Sequence, residues 1–139
     1  MAVNQIAVFL ENCRGRLREV TDALGKEGVN LVALNIADTG EFGILRIVTR
    51  DNDRAANVLR EAGFTVQLNS LIAAEVADQA GGLSSILKFL SDENIDVEYL
   101  YSFAHTKHNT AVILLRVDDD ARAAATLKRH KVKLLEEIV

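Results

Sequence analysis

The chain has 139 residues, 49% of them hydrophobic and 26% charged, with a formal net charge of -4, which is the profile of an ordinary soluble globular protein. Neither half is basic, which argues against nucleic acid as the main partner, since phosphate binding needs clustered Lys and Arg. The single cysteine, Cys13, excludes an internal disulfide, and no apolar run approaches the ~20 residues of a membrane span, so a cytoplasmic protein is expected.

In chain order, the apolar run 6–10 reads as a strand and leads into the loop Glu11-Asn12-Cys13-Arg14-Gly15-Arg16-Leu17. Leu17, Val20, Thr21 and Leu24 then recur at i, i+3, i+4 and i+7, one face of a helix, which Gly28 ends. Runs 31–37 and 42–48 are strands, with Thr39-Gly40 signalling a tight hairpin between them. Asp51 or Asn52 can cap a second helix that turns Ala55, Val58 and Leu59 inward; Gly63 stops it, and 64–68 is a last strand.

The order then repeats. Run 71–76 leads into Ala77-Asp78-Gln79-Ala80-Gly81-Gly82-Leu83, a helix carrying Ile86, Leu87 and Leu90, strands 97–103 and 111–117, helix 121–130 and strand 132–138. Asn12 matches Asp78, Gly15 matches Gly81, Leu17 matches Leu83, and Gly28-Val29-Asn30-Leu31 matches Asn94-Ile95-Asp96-Val97. The expectation is an α+β protein of two ferredoxin-like βαββαβ repeats in tandem, 1–69 and 70–139, each with its helices on one face of an antiparallel sheet. No proline and no flexible linker separates them, so the repeats are expected close together, as one extended sheet or as two sheets packed by their helices.

The two loops, the starts of the second strands, Phe42-Gly43-Ile44-Leu45-Arg46 and Tyr99-Leu100-Tyr101-Ser102-Phe103-Ala104 together resemble the ACT domain, in the form of the stand-alone tandem ACT proteins of bacteria. The resemblance implies a regulatory module that binds a free amino acid at the seam between ACT domains, acts on a protein partner or through its own homodimer, needs no cofactor or metal, and is not an enzyme. Two departures stand out. The proline usual before the loop glycine is Arg14 in one repeat and Ala80 in the other, and Asp78 and Asp96 replace Asn12 and Asn30, so the two sites need not be equivalent.

Physical chemistry supports that reading. A carboxylate seeks the unpaired N–H groups and positive dipole end of a helix N-terminus, here at Arg14 to Leu17 and Gly81 to Leu83. Gly15 and Gly82 let the backbone approach the ligand, and Asn12, Asn30, Asp78 and Asp96 offer oxygens to its ammonium. By the resemblance, Ala37, or Ser102 and Phe103, of a neighbouring repeat completes the pocket.

Plainer readings stand beside it. Asn12 and Asp78 suit simple N-caps. Arg14, Arg16 and Arg18 crowd a positive helix end, which calls either for an anion or for pairing with Glu11, Glu19 or Asp22. Cys13 lies near the same positive end, where a thiol can gain reactivity, but nothing in the sequence places a base beside it. His105 and His108 flank an expected hairpin turn without a third metal ligand, and Asp118, Asp119 and Asp120 favour a helix start without spelling a calcium loop. Three rival functions remain: an acylphosphatase-like hydrolase using Arg14-Gly15-Arg16 and Asn35, an RNA-binding module of the same topology, and a ligand-free structural dimer.

Overall fold

The computed structural model describes residues 3–38, 40–105 and 109–138. Thr39 of the first hairpin, and Thr106, Lys107 and His108 of the second, therefore lie outside the described residues, and the two-histidine turn with them. The chain divides into two compact units, built mainly from residues 4–69 and 70–137.

The first unit runs β1 (Val3–Glu11), α1 (Arg16–Lys26), β2 (Leu31–Asp38), β3 (Phe42–Thr49), α2 (Asn52–Glu61) and the opening of β4 (Thr65–Ala77). β3 pairs antiparallel with β1 on one side and β2 on the other, with Ile6↔Ile47, Phe9↔Ile44, Leu34↔Ile47 and Ala37↔Ile44 in register. Alternate residues point to opposite faces. Ile6, Val8, Leu10, Leu45 and Ile47 thus share one face, and they bury against Val20 and Leu24 of α1 and Ala55, Ala56 and Leu59 of α2. Each fully buried aliphatic side chain contributes about 1.5–3 kcal/mol, so this layer holds the unit together.

The second unit repeats the order: the rest of β4, α3 (Gly82–Asp92), β5 (Val97–His105), β6 (Thr110–Val117), α4 (Asp120–Arg129) and β7 (Lys133–Leu135). Its strands lie β5-β6-β4-β7. Ile72, Ala74, Ile113 and Leu115 meet Ile86 and Leu90 of α3 and Ala123 and Leu127 of α4 in the same way. This is the α+β, ferredoxin-like repeat that the periodicity implied.

The elements differ from expectation in three places. Strands 64–68 and 71–76 are one strand of 13 residues, β4, because Asn69 and Ser70 stay extended between them. The last strand is only Lys133–Leu135. Of the four residues that periodicity put on the inner face of α1, Val20 and Leu24 are buried, while Leu17 is 41% exposed and Thr21 turns its hydroxyl to the Arg18 carbonyl. The buried stripe of α1 is narrower than the sequence pattern suggested.

Candidate functional site

The β1–α1 and β4–α3 loops have the same backbone design. In each, an N–H bonds back two residues (Cys13 to the Glu11 carbonyl, 2.8 Å; Gln79 to the Ala77 carbonyl, 2.9 Å), and the chain then turns through a left-handed glycine into the helix. Gly15 has φ 92° and Gly81 φ 88°, a conformation that penalises any side chain. Gly82 is required for a different reason: a Cβ there would lie 2.7 Å from the Ala77 carbonyl oxygen.

A helix leaves its first four N–H groups without intrahelical partners. α2 and α4 each cap one of theirs with an aspartate: Asp51 accepts from the Arg54 N–H at 3.2 Å and Asp119 from the Arg122 N–H at 3.1 Å. α1 and α3 have no side-chain cap at all. Arg16 and Glu19 direct their N–H groups to the Cys13 and Gly15 carbonyls, and Gly82 and Ser85 do the same to Gln79 and Gly81. The N–H groups of Leu17, Arg18, Leu83 and Ser84 are left without a partner among the described residues. Two of the four helix starts carry an aspartate cap and two carry no side-chain cap, and the uncapped pair occupies matching places in the two repeats.

The capping role considered for Asn12 and Asp78 is not what the structure shows, since Gly15 and Gly81 are the N-caps. Asn12 instead donates through Nδ2 to the Gly40 carbonyl at 2.6 Å and to Asp38 Oδ1 at 3.3 Å, and its N–H donates to the Glu41 carbonyl at 2.8 Å. It ties the loop to the β2–β3 hairpin. Asp78 keeps the main-chain half of this, donating its N–H to the Asn109 carbonyl at 3.3 Å, but a carboxylate has no proton to give a carbonyl.

Arg16 turns away from the loop: its guanidinium stacks 4.8 Å from the Phe64 ring centroid and pairs with Glu19. Arg18 pairs with Asp22. Arg14 is exposed and has no hydrogen bond or ion pair among the described residues, so it alone of the three leaves its charge to the loop. Cys13 is exposed beside it. Leu17 and Leu83 are the exposed apolar neighbours of the open N–H groups. The second loop carries Asp78 and no cation, so the two openings differ in charge.

Asn30 and Asp96 are not at the loops. Asn12 bonds Asp38 at the far end of β2, whereas Asn30 precedes Leu31 at its start, and eight residues of strand at about 3.3 Å each put roughly 25 Å between them. The same holds across β5 for Asp78 and Asp96. Within one repeat the two positions therefore cannot hold one ammonium. Asn30 lines a cleft of about 180 Å³ with Thr49, Arg50 and Arg54. Asp96 lines one of about 550 Å³ with Leu87, Ser91 and Asn94, its backbone fixed by a reciprocal pair of bonds with Asp118, each 3.2 Å.

The strand-edge candidates divide as well. Ala37 pairs with Ile44, on the face away from the helices but at the same end as Asn12. Ser102 pairs with Ile113 on the helix side and Phe103 with Val112 on the other, so those two cannot line one pocket together. Asn35 accepts from Arg46 at 3.5 Å within the sheet, away from the loop, which leaves the hydrolase constellation unassembled. Asp38, Gly40, Phe64 and Asp118 carry the arrangement yet lie 22–48 residues from their partners in sequence, beyond the reach of any local motif. Among the described residues no cluster of His, Cys, Asp and Glu could hold a metal, and no helix is long and apolar enough to cross a membrane.

The family model described as an ACT domain pair matches residues 1–138. Among solved structures, the chain is similar to protein BT0572 from Bacteroides thetaiotaomicron, at 40% identity over 97% of this chain and 92% of that one, with a TM-score of 0.91. The regulatory subunit of aspartate kinase from Thermus thermophilus, in a ligand-free form, aligns over 92% and 91% of the two chains at 12% identity and a TM-score of 0.66. Its counterpart from Thermus flavus aligns over 92% and 90% at 13% identity and 0.66. At such identities the likeness is one of fold. Among curated proteins, none matches the chain.

Proposed function

Because the chain belongs to the ACT domain pair family, a regulatory and not a catalytic one, we propose that it is a cytoplasmic sensor of a free amino acid, with the β1–α1 and β4–α3 loops receiving the ligand's carboxylate. The observation that carries this is the contrast between the helix starts: α2 and α4 are capped by Asp51 and Asp119, whereas α1 and α3 begin at left-handed glycines and have no side-chain cap, which leaves room for an outside anion. Such an opening suits an anion that comes and goes. Asn12, Arg14, Gly15 and Leu17 form one site, and Asp78, Gly81, Gly82 and Leu83 the other. Arg14 adds a cation to the first only.

The ligand's ammonium needs oxygens that the loop's own repeat does not place there, since Asn30 and Asp96 lie a strand's length away. Those residues serve a ligand only when their repeat is not the one supplying the loop. That supports a seam between two ACT domains and a homodimer, with Ala37, Ser102 or Phe103 at its margin, and through it a response passed to a regulated protein. An amino acid that binds one packing better than another shifts the population by its differential affinity.

Thermal unfolding against each of the twenty amino acids tests this. A ligand at 100 times its Kd adds about 2.7 kcal/mol of stability, an easily measured rise in midpoint. Leu17→Glu and Leu83→Glu each place a competing carboxylate on an open helix start without disturbing the core, since both leucines are exposed. They are expected to raise the basal midpoint slightly and blunt the response. If no amino acid moves the midpoint, or both variants respond like the parent, the sensor reading fails.

A further inference from the structure

We propose that the end of α4 and the turn into β7, Lys128 to Lys133, form a docking surface for an acidic segment of a partner protein. This goes beyond the amino-acid reading and does not rest on it.

In a chain of net charge -4, five of these six consecutive residues are Lys, Arg or His. Lys128, Arg129, His130, Lys131 and Lys133 are all exposed. Arg129 reaches Glu93 at 3.3 Å and Lys133 reaches Glu75 at 3.1 Å. The ammonium groups of Lys128 and Lys131 have no partner among the described residues. His130 lies flat on Phe89 of α3, with ring centroids 4.0 Å apart and planes 4° from parallel. The turn is thus anchored to α3 while two of its cations are left to solvent.

The first repeat shows that the fold does not need this charge. Asp51 and Asp119 cap the two helices and Leu59 and Leu127 are buried at the same step along them, so Arg60 to Thr65 matches Lys128 to Lys133. Arg60-Glu61-Ala62-Gly63-Phe64-Thr65 carries one cation and one anion and sums to zero. A helix C-terminus favours cations, but only within its last turn, and α2 meets that with Arg60 alone. Lys131 and Lys133 lie past the last turn of α4. Lys131 also stands where the first repeat has Gly63, in the left-handed region, with φ 61° against 91°. Glycine is the unstrained choice there. A lysine held in that conformation keeps a charge at a position where stability alone favours none.

The surroundings select the kind of anion. Glu93 borders the cluster and Glu136 and Glu137 follow it, so a long polyanion running past it would meet like charge. The ring of Phe89 is spent between the core and His130 and offers no platform for a base. Leu127 is buried and Val132 packs on the core, which leaves no apolar side chain in the cluster to enter a bilayer. A short run of Asp and Glu in another protein meets the cations alone.

Fluorescence anisotropy of a labelled oligoglutamate peptide, titrated with the full chain, tests this. Binding is expected at ~0.05 M salt and is lost by ~0.5 M, since exposed charges are screened. Exposed ion pairs are individually weak, so Lys128→Ala and Lys131→Gly should each weaken binding about 1.5- to 5-fold, and Lys128→Glu combined with Lys131→Glu by more than about tenfold. Arg60→Glu, at the matching place in the first repeat, should leave it unchanged. Lys131→Gly separates docking from a structural role: its urea midpoint should rise as the left-handed strain is relieved, while its affinity falls. Circular dichroism checks that the glutamate variant keeps the fold, as exposed positions should. A parent that does not bind the peptide at low salt overturns the proposal. So do variants that bind like the parent, or a Lys131→Gly chain that loses stability along with affinity. Tighter binding to duplex DNA or to phosphatidylserine vesicles than to the peptide, at equal charge concentration, overturns the assignment to a protein partner.

Discussion

Gly82→Ala and Gly25→Ala are the same substitution in two helices, and the structure gives them opposite signs. A Cβ on Gly82 would lie 2.7 Å from the Ala77 carbonyl oxygen, a backbone atom at the end of β4 that has no rotamer to yield. Forcing a methyl group into a filled space costs about 1–3 kcal/mol. The smaller unfolded-state entropy of alanine returns about 0.4–1 kcal/mol, leaving a net loss of about 1–2 kcal/mol. Gly25 lies within α1, has an ordinary helical φ and meets nothing within 4 Å of the added atom, so the helix preference of alanine gives a gain of about 0.5–1 kcal/mol. Urea unfolding reads both: at a slope of about 1–3 kcal/mol/M, the Gly82→Ala midpoint falls by roughly 0.5–1 M and that of Gly25→Ala rises. The reasoning is refuted if Gly82→Ala is as stable as the parent, or if Gly25→Ala costs as much as Gly82→Ala.

Other perturbations have equally definite outcomes. Asn12→Asp removes two donated hydrogen bonds and sets a second carboxylate beside Asp38, for a loss of about 1 kcal/mol in chemical denaturation, larger than that of Asn12→Ala. Asp51→Ala and Asp119→Ala each lose a helix cap and about 0.5–2 kcal/mol, whereas Asp78→Ala, which caps nothing, stays near neutral in the same assay. Arg16→Ala lowers the thermal midpoint by what a partly exposed cation–π contact is worth, about 0.5–1 kcal/mol, yet leaves any amino-acid response intact because Arg16 faces Phe64. Leu59→Ala empties a fully buried site and costs about 2–5 kcal/mol by either method.

The duplicated order of elements was legible because it is written in local chemistry: the glycines at 15, 28, 63 and 81, and apolar residues at helical and strand periods, need no knowledge of what lies opposite. Gly15 and Gly81 were found as a pair for that reason, and both have positive φ. The roles of individual polar residues were not legible. Asn12 looked like a cap because caps are the local use of asparagine, but its partners Asp38 and Gly40 arrive through the hairpin, 26 and 28 residues on. Arg16 looked like a loop cation, and only the fold brings Phe64 beneath it. Asn30 and Asp96 seemed to belong with the loops because family motifs are read along the chain, whereas a helix returns the chain to the opposite end of the sheet. Leu17, 41% exposed, shows the same limit from the apolar side, since periodicity reports a face and not which of its residues the fold covers.

The unequal helix starts also set a timetable for the backbone protons. Arg54 and Arg122 amides, held by aspartate side chains, should exchange with deuterium slowly for first-turn positions, while those of Leu17, Arg18, Leu83 and Ser84 exchange at rates close to those of open chain. Any anion that settles on a loop takes up those protons directly. A ligand's arrival would thus be written as a few newly slow amides at the start of α1 or of α3, and which of the two slows first would report which repeat fills first.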